Sequence, residues 1–592
     1  MLMKQAKAFC SWLTDKTLRQ LPLLLFVIFV FSAPSFINTA RLPLAGLITY
    51  TLPQSVIFGV VFALLANLRK WIWWTIYSLC SLIMLLEFGA FFTQSSRITS
   101  SLAIIIAQSN VGESSEFLSA FYKPVLTSLA IAVAIAFAVI IFDKLWQKRW
   151  FKSINESINA RAYLVYTLAF CILASSAFSV LRIKQSSEVV HTHIWQRTTN
   201  GQVADVSVPI VYFYVAKDLF FNPIEEKLVG LAAIQHNIII NDSGPADSIM
   251  IVYVVGESSD RNRSNIYGYP METNPRLAQL QKNGSMAVFK NVVSRYHQTI
   301  DLYAQLLSPC DIEDKESFYK LPMLPAIFKK IGYDVAYYDN QSSPEEGRLF
   351  DIGCQFFFTN KTVKEQNLNR LNSHIYSYDG DIFENHPPKE YSLKNLIIYH
   401  LIGNHMIYSE RYPHEYAVFK AEDYAPLYSG EAAEKMAHYD NATHYTDSLL
   451  NKLINKLSTK NAVLVYTSDH GDEVYDYRDS WGRSQGEHPV GSDKVLHEVP
   501  LYVWASEKFR AKHPGVMDSL RANADKPIYN TDISHTILEL AGIKTPYLNK
   551  NLSLLHKSAG RRNRRTTTFD YDRRRAEIDS VRLRYDGAGH WR

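Results

Sequence analysis

Five apolar runs crowd the first third of this 592-residue chain, approximately Leu21–Ile37, Leu44–Ala66, Trp71–Phe92, Pro124–Phe142 and Ala162–Ile183. Each approaches or exceeds the roughly 20 residues a helix needs to cross a ~30 Å hydrocarbon layer. The first is short and holds Pro34, but no small-residue cleavage site leads from it into soluble sequence, so an anchor is expected rather than a leader. Lys4, Lys7, Lys16 and Arg19 precede the first run, Arg69 and Lys70 separate the second and third, and Lys144, Lys148, Arg149, Lys152 and Arg161 fill the loop before the fifth. The alternate loops carry few basic residues, so the basic side is cytoplasmic and an odd number of spans places everything after Ile183 outside.

That remainder reads as a water-soluble globular sequence. Whole-chain values of 47% hydrophobic and 20% charged residues exclude a disordered chain, and a net charge of +5 gives no case for nucleic acid as a partner. Of five cysteines, Cys10, Cys80 and Cys171 lie in or beside apolar segments; Cys310 and Cys354 can pair only if the soluble part meets an oxidising compartment.

The organisation expected is a five-helix membrane domain over 1–183, a membrane-proximal linker with helices over 184–247, a catalytic domain over 248–556, and an arginine-rich C-terminal tail over 557–592. Ser248–Val255 is a continuous apolar, largely β-branched run, as in a parallel strand buried on both faces. Similar runs recur at Tyr333–Tyr338, Asn395–Leu401, Ala462–Thr467 and Val499–Trp504, with helical patterns at Asn274–Lys282, Met323–Ile331 and Tyr445–Leu457. The alternation predicts an α/β domain with a mostly parallel central sheet, its chemistry just past the carboxyl ends of strands. The tail, with Arg561, Arg562, Arg564, Arg565, Arg573, Arg574 and Arg575, is expected to be solvated; contact with anionic phosphates is the other reading.

Three predicted strands run directly into polar chemistry. Gly256-Glu257-Ser258-Ser259 follows the first, Ser468-Asp469-His470-Gly471-Asp472 the fourth, and Ile402-Gly403-Asn404-His405 the third. Ser258, Asp260 and Asp469 could each simply cap a helix. Three such sites at three strand ends point instead to oxygen and nitrogen ligands for zinc or a similar divalent ion.

The blocks VVGESSDRNRSNIYGYPMETNP, TSDHGDEV and HEVPLYVW resemble the phosphoethanolamine transferases of Gram-negative envelopes, in the alkaline phosphatase/sulfatase superfamily. The Tyr-Gly-Tyr-Pro-x-Glu-Thr block is similar to the branch that modifies the lipopolysaccharide core. The resemblance implies an α-helical membrane domain of five transmembrane helices followed by a sulfatase-like domain, Zn2+ as cofactor, and a multi-pass protein of the bacterial inner membrane with its catalytic domain in the periplasm. By the same resemblance Glu257, Thr299, Asp469 and His470 bind the metal, and Thr299, in VVSRYHQTIDLYAQLLSPC, is the catalytic nucleophile. Family members often carry Cys-Gly-Thr where this chain has His297-Gln298-Thr299, and Ser258 and Ser259 are alternative hydroxyls beside Glu257. His405, His488 and Asn340 are implied substrate-binding residues, with His497 competing with His488 and with Asn340-Gln341 matching a family Asn-Gln pair.

The chemistry fits these residue types. A threonine hydroxyl is a poor nucleophile at neutral pH, and a divalent ion both favours its ionised form and neutralises charge on an attacked phosphate. The implied reaction moves phosphoethanolamine from phosphatidylethanolamine to lipopolysaccharide, on lipid A or a core sugar, through an enzyme ester, releasing diacylglycerol. Rival readings are a glycerol-phosphate transferase of the lipoteichoic-acid-synthase type and a catalytically inactive membrane sensor or scaffold of the same fold. A sulfatase is disfavoured because no Cys/Ser-x-Pro-x-Arg signature is present.

Overall fold

The computed structural model describes residues 2–37, 51–94, 96–99, 102–103, 106, 109, 111–151, 207–220, 224–313, 317–341, 360–425, 428–483, 490–566 and 570–580. The chain divides into two compact units, one holding most residues up to 222 and the other most of the remainder.

In the first unit, helices Leu21–Ile37, Leu52–Ala66, Lys70–Gln94 and Tyr122–Leu145 coincide with four of the five apolar runs, and the expected span Ala162–Ile183 lies outside the described residues. Two helices are long and apolar enough to cross a membrane, Lys70–Gln94 and Tyr122–Trp150. A third span is reached if the pair Ser11–Arg19 and Leu21–Pro34, bent by 76°, is counted as one. Five spans are thus not all seen among the described residues. Leu126, Leu129, Val133, Phe137 and Ile141 are exposed at three- and four-residue spacing. Such an unbroken apolar stripe is poorly suited to water and well suited to acyl chains. Helix Val208–Phe220, part of the expected linker, buries Val208 and Val211 against this unit.

The second unit is built on a seven-stranded sheet in the order β2-β8-β7-β1-β6-β4-β5, with β1 Ile249–Gly256, β2 Met286–Val288, β4 Asp334–Asp339, β5 Arg370–Leu371, β6 Lys394–His400, β7 Ala462–Ser468 and β8 Leu501–Ala505. Two short strands, β3 Val292–Val293 and β9 Ile528–Tyr529, pair separately. From β7 to β5 every pairing is parallel, while at one edge β8 runs antiparallel to both its neighbours, β7 and β2. The run at β1 is apolar throughout because both faces are covered. Ile249, Ile251, Tyr253 and Val255 enter one core, and Met250, Val252 and Val254 enter the other. Val255 sits opposite His400 and Gly256 opposite Ser468, so the carboxyl ends of β6, β1 and β7 are level.

The arginine-rich segment differs from the expected solvated tail. Arg564 is fully buried, gripping Asp572 and the carbonyls of Asn291 and Ile528, and Arg561 forks onto Asp532. Helix Tyr571–Ser580 buries Tyr571 and Ile578. The guanidiniums are structural here because carboxylates and carbonyls were placed to receive them. Residues 581–592 lie outside the described residues.

A pH dependence follows from His535, buried in helix Ile533–Leu540 and accepting the Asn549 N–H at Nδ1 (3.2 Å). Burial pushes its pKa from 6.5 down to about 4. A depressed folded pKa means the stabilisation is full above the unfolded value and lost as pH falls. The loss should run from about pH 6.5 to pH 4 and reach about 3 kcal/mol. Thermal unfolding of the purified chain across this window should be less steeply pH-dependent in His535→Gln.

Candidate metal and phosphoryl-transfer site

The level strand ends bring the polar blocks together. Gly256 closes β1 where a Cβ would sit 2.4 Å from the Tyr466 hydroxyl, so a side chain here would have to displace that tyrosine ring. Glu257 follows with no exposed surface, its backbone carbonyl taken by the Asn404 N–H (2.9 Å). Ser258 adopts the left-handed region at φ 56°, a strained state for a residue with a side chain. Tyr439, from helix Glu431–Leu457, holds that turn from below, donating to the Ser258 carbonyl and accepting the Asp260 N–H. After β7, Asp469 accepts the Ser258 and His470 N–H groups on Oδ1 (3.1 and 2.7 Å), which leaves Oδ2 pointing into the site.

Thr299 begins helix Thr299–Leu306, and its hydroxyl meets all three neighbours: Glu257 Oε2 at 2.9 Å, Asp469 Oδ2 at 2.9 Å and His470 Nε2 at 3.3 Å. The first-turn N–H groups of a helix lack intrahelical partners, so they suit an oxyanion beside this hydroxyl. His470 Nδ1 lies 2.8 Å from the Gly471 carbonyl, which only accepts. Nδ1 of the neutral ring therefore carries the proton, and Nε2 turns its lone pair inward. Donor atoms of Glu257, Asp469 and His470 all lie within 4.8 Å of one another, and all three residues are buried. Two carboxylate oxygens, an imidazole nitrogen and a hydroxyl are a four-donor set that fits a zinc-sized ion.

The electrostatics agree with that fit. Burial alone would raise the Glu257 carboxyl, yet His470, Arg483 and His405 hold it well below the usual carboxylate range. Burial lowers the His470 pKa, but Asp469 and Glu257 outweigh burial and Arg483 and raise it. A site that gathers positive charge so readily is one a divalent cation neutralises.

Of the other residues singled out in the sequence, His405 follows β6 at the same edge, and its charge is felt at Glu257. Asn340 is fully buried, its amide donating to Asp379 and accepting from the Tyr376 N–H. Its neighbour Gln341 is the one that reaches Glu257 Oε2 (3.2 Å), while also donating to the Leu401 carbonyl. His488 and Cys354 lie outside the described residues. His497 is buried against His297, with Nδ1 2.8 Å from the Ser294 carbonyl, and burial takes its pKa down to about 4. Ser258 Oγ donates to Glu257 Oε1 (2.6 Å), and the Ser259 N–H is held by Ser468 Oγ.

One residue of the site, Arg483, escaped the sequence reading, and Gln341 was named only within a pair. In the Asn-Gln pair only the end of β4 decides which of two adjacent side chains faces Glu257. Arg483 is one of 62 basic residues and carries no motif of its own. Its guanidinium lies 2.5 Å from His470 Nε2 and 3.6 Å from Glu257 Oε1. Because Gln341 donates to Glu257, a candidate ligand, Gln341→Leu should weaken metal binding by about 10–100-fold. Competition against a colorimetric chelator would measure this.

Residues 250–543 match the sulfatase family. Phosphoethanolamine transferase EptC of Escherichia coli K12 is 31% identical over 304 residues, 50% of this chain and 51% of that protein. The Kdo(2)-lipid A phosphoethanolamine 7''-transferase of Salmonella typhimurium LT2 is 24% identical over 331 residues, 52% of this chain and 55% of that protein. The chain spans about half the length of the curated relatives it matches. Among solved structures, the zinc complex of the C-terminal periplasmic domain of EptC from E. coli aligns with a TM-score of 0.50 at 26% identity, over 60% of this chain and 98% of that one. The integral membrane lipooligosaccharide phosphoethanolamine transferase A of Neisseria meningitidis aligns with a TM-score of 0.56 at 17% identity, over 91% of this chain and 97% of that one, a likeness of fold.

Proposed function

We propose that this chain, whose residues 250–543 are a sulfatase-family domain, is a zinc-dependent phosphoethanolamine transferase of the bacterial inner membrane, its catalytic domain in the periplasm. The donor in this reading is phosphatidylethanolamine and the acceptor is lipopolysaccharide, on lipid A or a core sugar. The observation that carries it is the Thr299 hydroxyl within hydrogen-bond reach of Glu257, Asp469 and His470 together. A catalytically inactive scaffold would have no need to converge a nucleophile on three buried ligands, and the named transferase relatives support the choice of transferred group.

Glu257, Asp469 and His470 would hold zinc, which when bound supplies Lewis-acid character that lowers the proton affinity of the threonine and offsets phosphate charge. The Glu257 and Asp469 oxygens accept from the Thr299 hydroxyl and fix the direction of its lone pairs. Thr299 Oγ attacks phosphorus, forming the Oγ–P bond as the bond to the diacylglycerol oxygen breaks. Thr299 gives up its proton and the departing oxygen takes one up. An acceptor oxygen then attacks the phosphorus, the Oγ–P bond breaks as the new O–P bond forms, and Thr299 Oγ regains a proton as the acceptor oxygen gives one up. His405, His488 and Asn340 remain our candidates for contacts around the headgroup, with Asn340 acting through Asp379. Apolar helices keep the domain at the surface where both lipids lie, which reduces the search to two dimensions.

The test is a donor assay on detergent-solubilised protein with fluorescent phosphatidylethanolamine. Diacylglycerol release that stops with chelator and returns with zinc is the expected result. A zinc-loaded, folded protein that releases none would remove the donor assignment, and release of a glycerol-phosphate product instead would favour the teichoic-acid-type reaction.

A further inference from the structure

We propose that Arg483 serves the site as a second cation, a guanidinium that grips the non-bridging oxygens of the phosphate in transfer. The proposal rests on the transferase reading above for its substrate, though not for its geometry. Arg483 is delivered by a closed turn. Val474 bridges Trp481 antiparallel, the Gly482 N–H bonds the Glu473 carbonyl (2.7 Å), and Gly482 takes φ 82° to swing the next residue inward. The side chain is 15% exposed and ends among buried acids: Glu257, Asp469, and Asp472, whose Oδ2 is held by the Tyr408 hydroxyl (2.8 Å).

Charge counting says why a second cation is needed. Glu257, Asp469 and a threonine that must lose its proton bring three negative charges, against two on one divalent ion. The arriving phosphodiester adds another. One group of metal-ligating side chains is seen among the described residues, and one divalent ion there does not balance the sum. A guanidinium does, and its planar fork matches two oxygens of a tetrahedral phosphate. In the present geometry Nη1 uses the lone pair of His470 Nε2 (2.5 Å). The Thr299 hydroxyl lies 3.3 Å from that same nitrogen, so guanidinium and nucleophile share one neighbour, and were a metal to take the nitrogen, Nη1 would need another acceptor. Arg483 makes and breaks no covalent bond; it holds charge while the Oγ–P bond forms and the P–O bond to diacylglycerol breaks.

The experiment compares the zinc-loaded full chain in detergent with Arg483→Gln and Arg483→Lys, after matching their thermal unfolding. Elemental analysis reads zinc per chain, calorimetry reads inorganic phosphate binding, and fluorescent phosphatidylethanolamine micelles read diacylglycerol release. Arg483→Gln should keep its zinc, bind inorganic phosphate at least ~10-fold more weakly, and release diacylglycerol about 10²–10³-fold more slowly. Arg483→Lys, with charge but no fork, should fall between. Wild-type phosphate affinity in Arg483→Gln would overturn the proposal, as would loss of zinc from it, which would make Arg483 a support of the ligands. Should the wild type bind phosphate but release no diacylglycerol, the transferase reading fails alone and the phosphate titration still decides Arg483.

Discussion

Thr299→Ala is expected to lower diacylglycerol release by about 10⁴-fold or more, the scale on which removing a nucleophile from an assembled site acts. The reason is geometric. Among the described residues its Oγ is the one hydroxyl placed within 3.3 Å of Glu257, Asp469 and His470 at once, at the start of helix Thr299–Leu306. Thr299→Ser keeps that oxygen and should retain activity within about tenfold. Zinc should stay bound to Thr299→Ala, because two carboxylates and an imidazole still form a three-ligand set. Ser258→Ala is the informative control. Ser258 Oγ donates to Glu257 Oε1 rather than to Asp469 or His470, so its loss should cost less than tenfold. The reverse pattern, with Ser258→Ala dead and Thr299→Ala active, would move the nucleophile to the other side of Glu257.

Asp469→Asn is expected to strip the metal and with it the activity. The substitution keeps the shape of the side chain and an oxygen for the Ser258 and His470 N–H groups, so the turn after β7 should survive. What it removes is the anionic Oδ2 that faces Thr299 and His470. Losing a ligand should weaken zinc binding by well beyond the 10–100-fold that a supporting partner costs. Elemental analysis after dialysis should find about one zinc per wild-type chain and near none in the variant. Excess zinc should restore little activity to the variant but full activity to chelated wild type. Full activity in a zinc-free wild-type protein would end the metal reading.

Much of this site could be read from the chain because parallel strands buried on both faces leave a clear mark. The run Ser248–Val255 is apolar at every position but the first, and the polar residues that end it must lie at a sheet edge. Glu257 and Asp469 were therefore findable without coordinates. The ends of helices were less so. The helical pattern seen over Tyr445–Leu457 is only the end of helix Glu431–Leu457, which also holds Asp440 and Asn441. Asp440 is polar there because it faces buried Arg263 and accepts from the Tyr269 and Tyr424 hydroxyls. A buried ionic cluster breaks the hydrophobic period that marks a helix face. Arg561 and Arg564 misled in the same way, since clustered arginines look solvated until their carboxylate partners, distant in sequence, are known. Arg483 was invisible for a related reason, its role being set by a turn that folds it back on His470.

The most direct test of the account is peptide mass spectrometry of zinc-loaded protein quenched after incubation with phosphatidylethanolamine and no acceptor. The account expects a phosphoethanolamine ester on the peptide that contains Thr299, absent after chelation and absent in Thr299→Ala. An ester on another residue, or diacylglycerol release with no covalent adduct at any time, would contradict it.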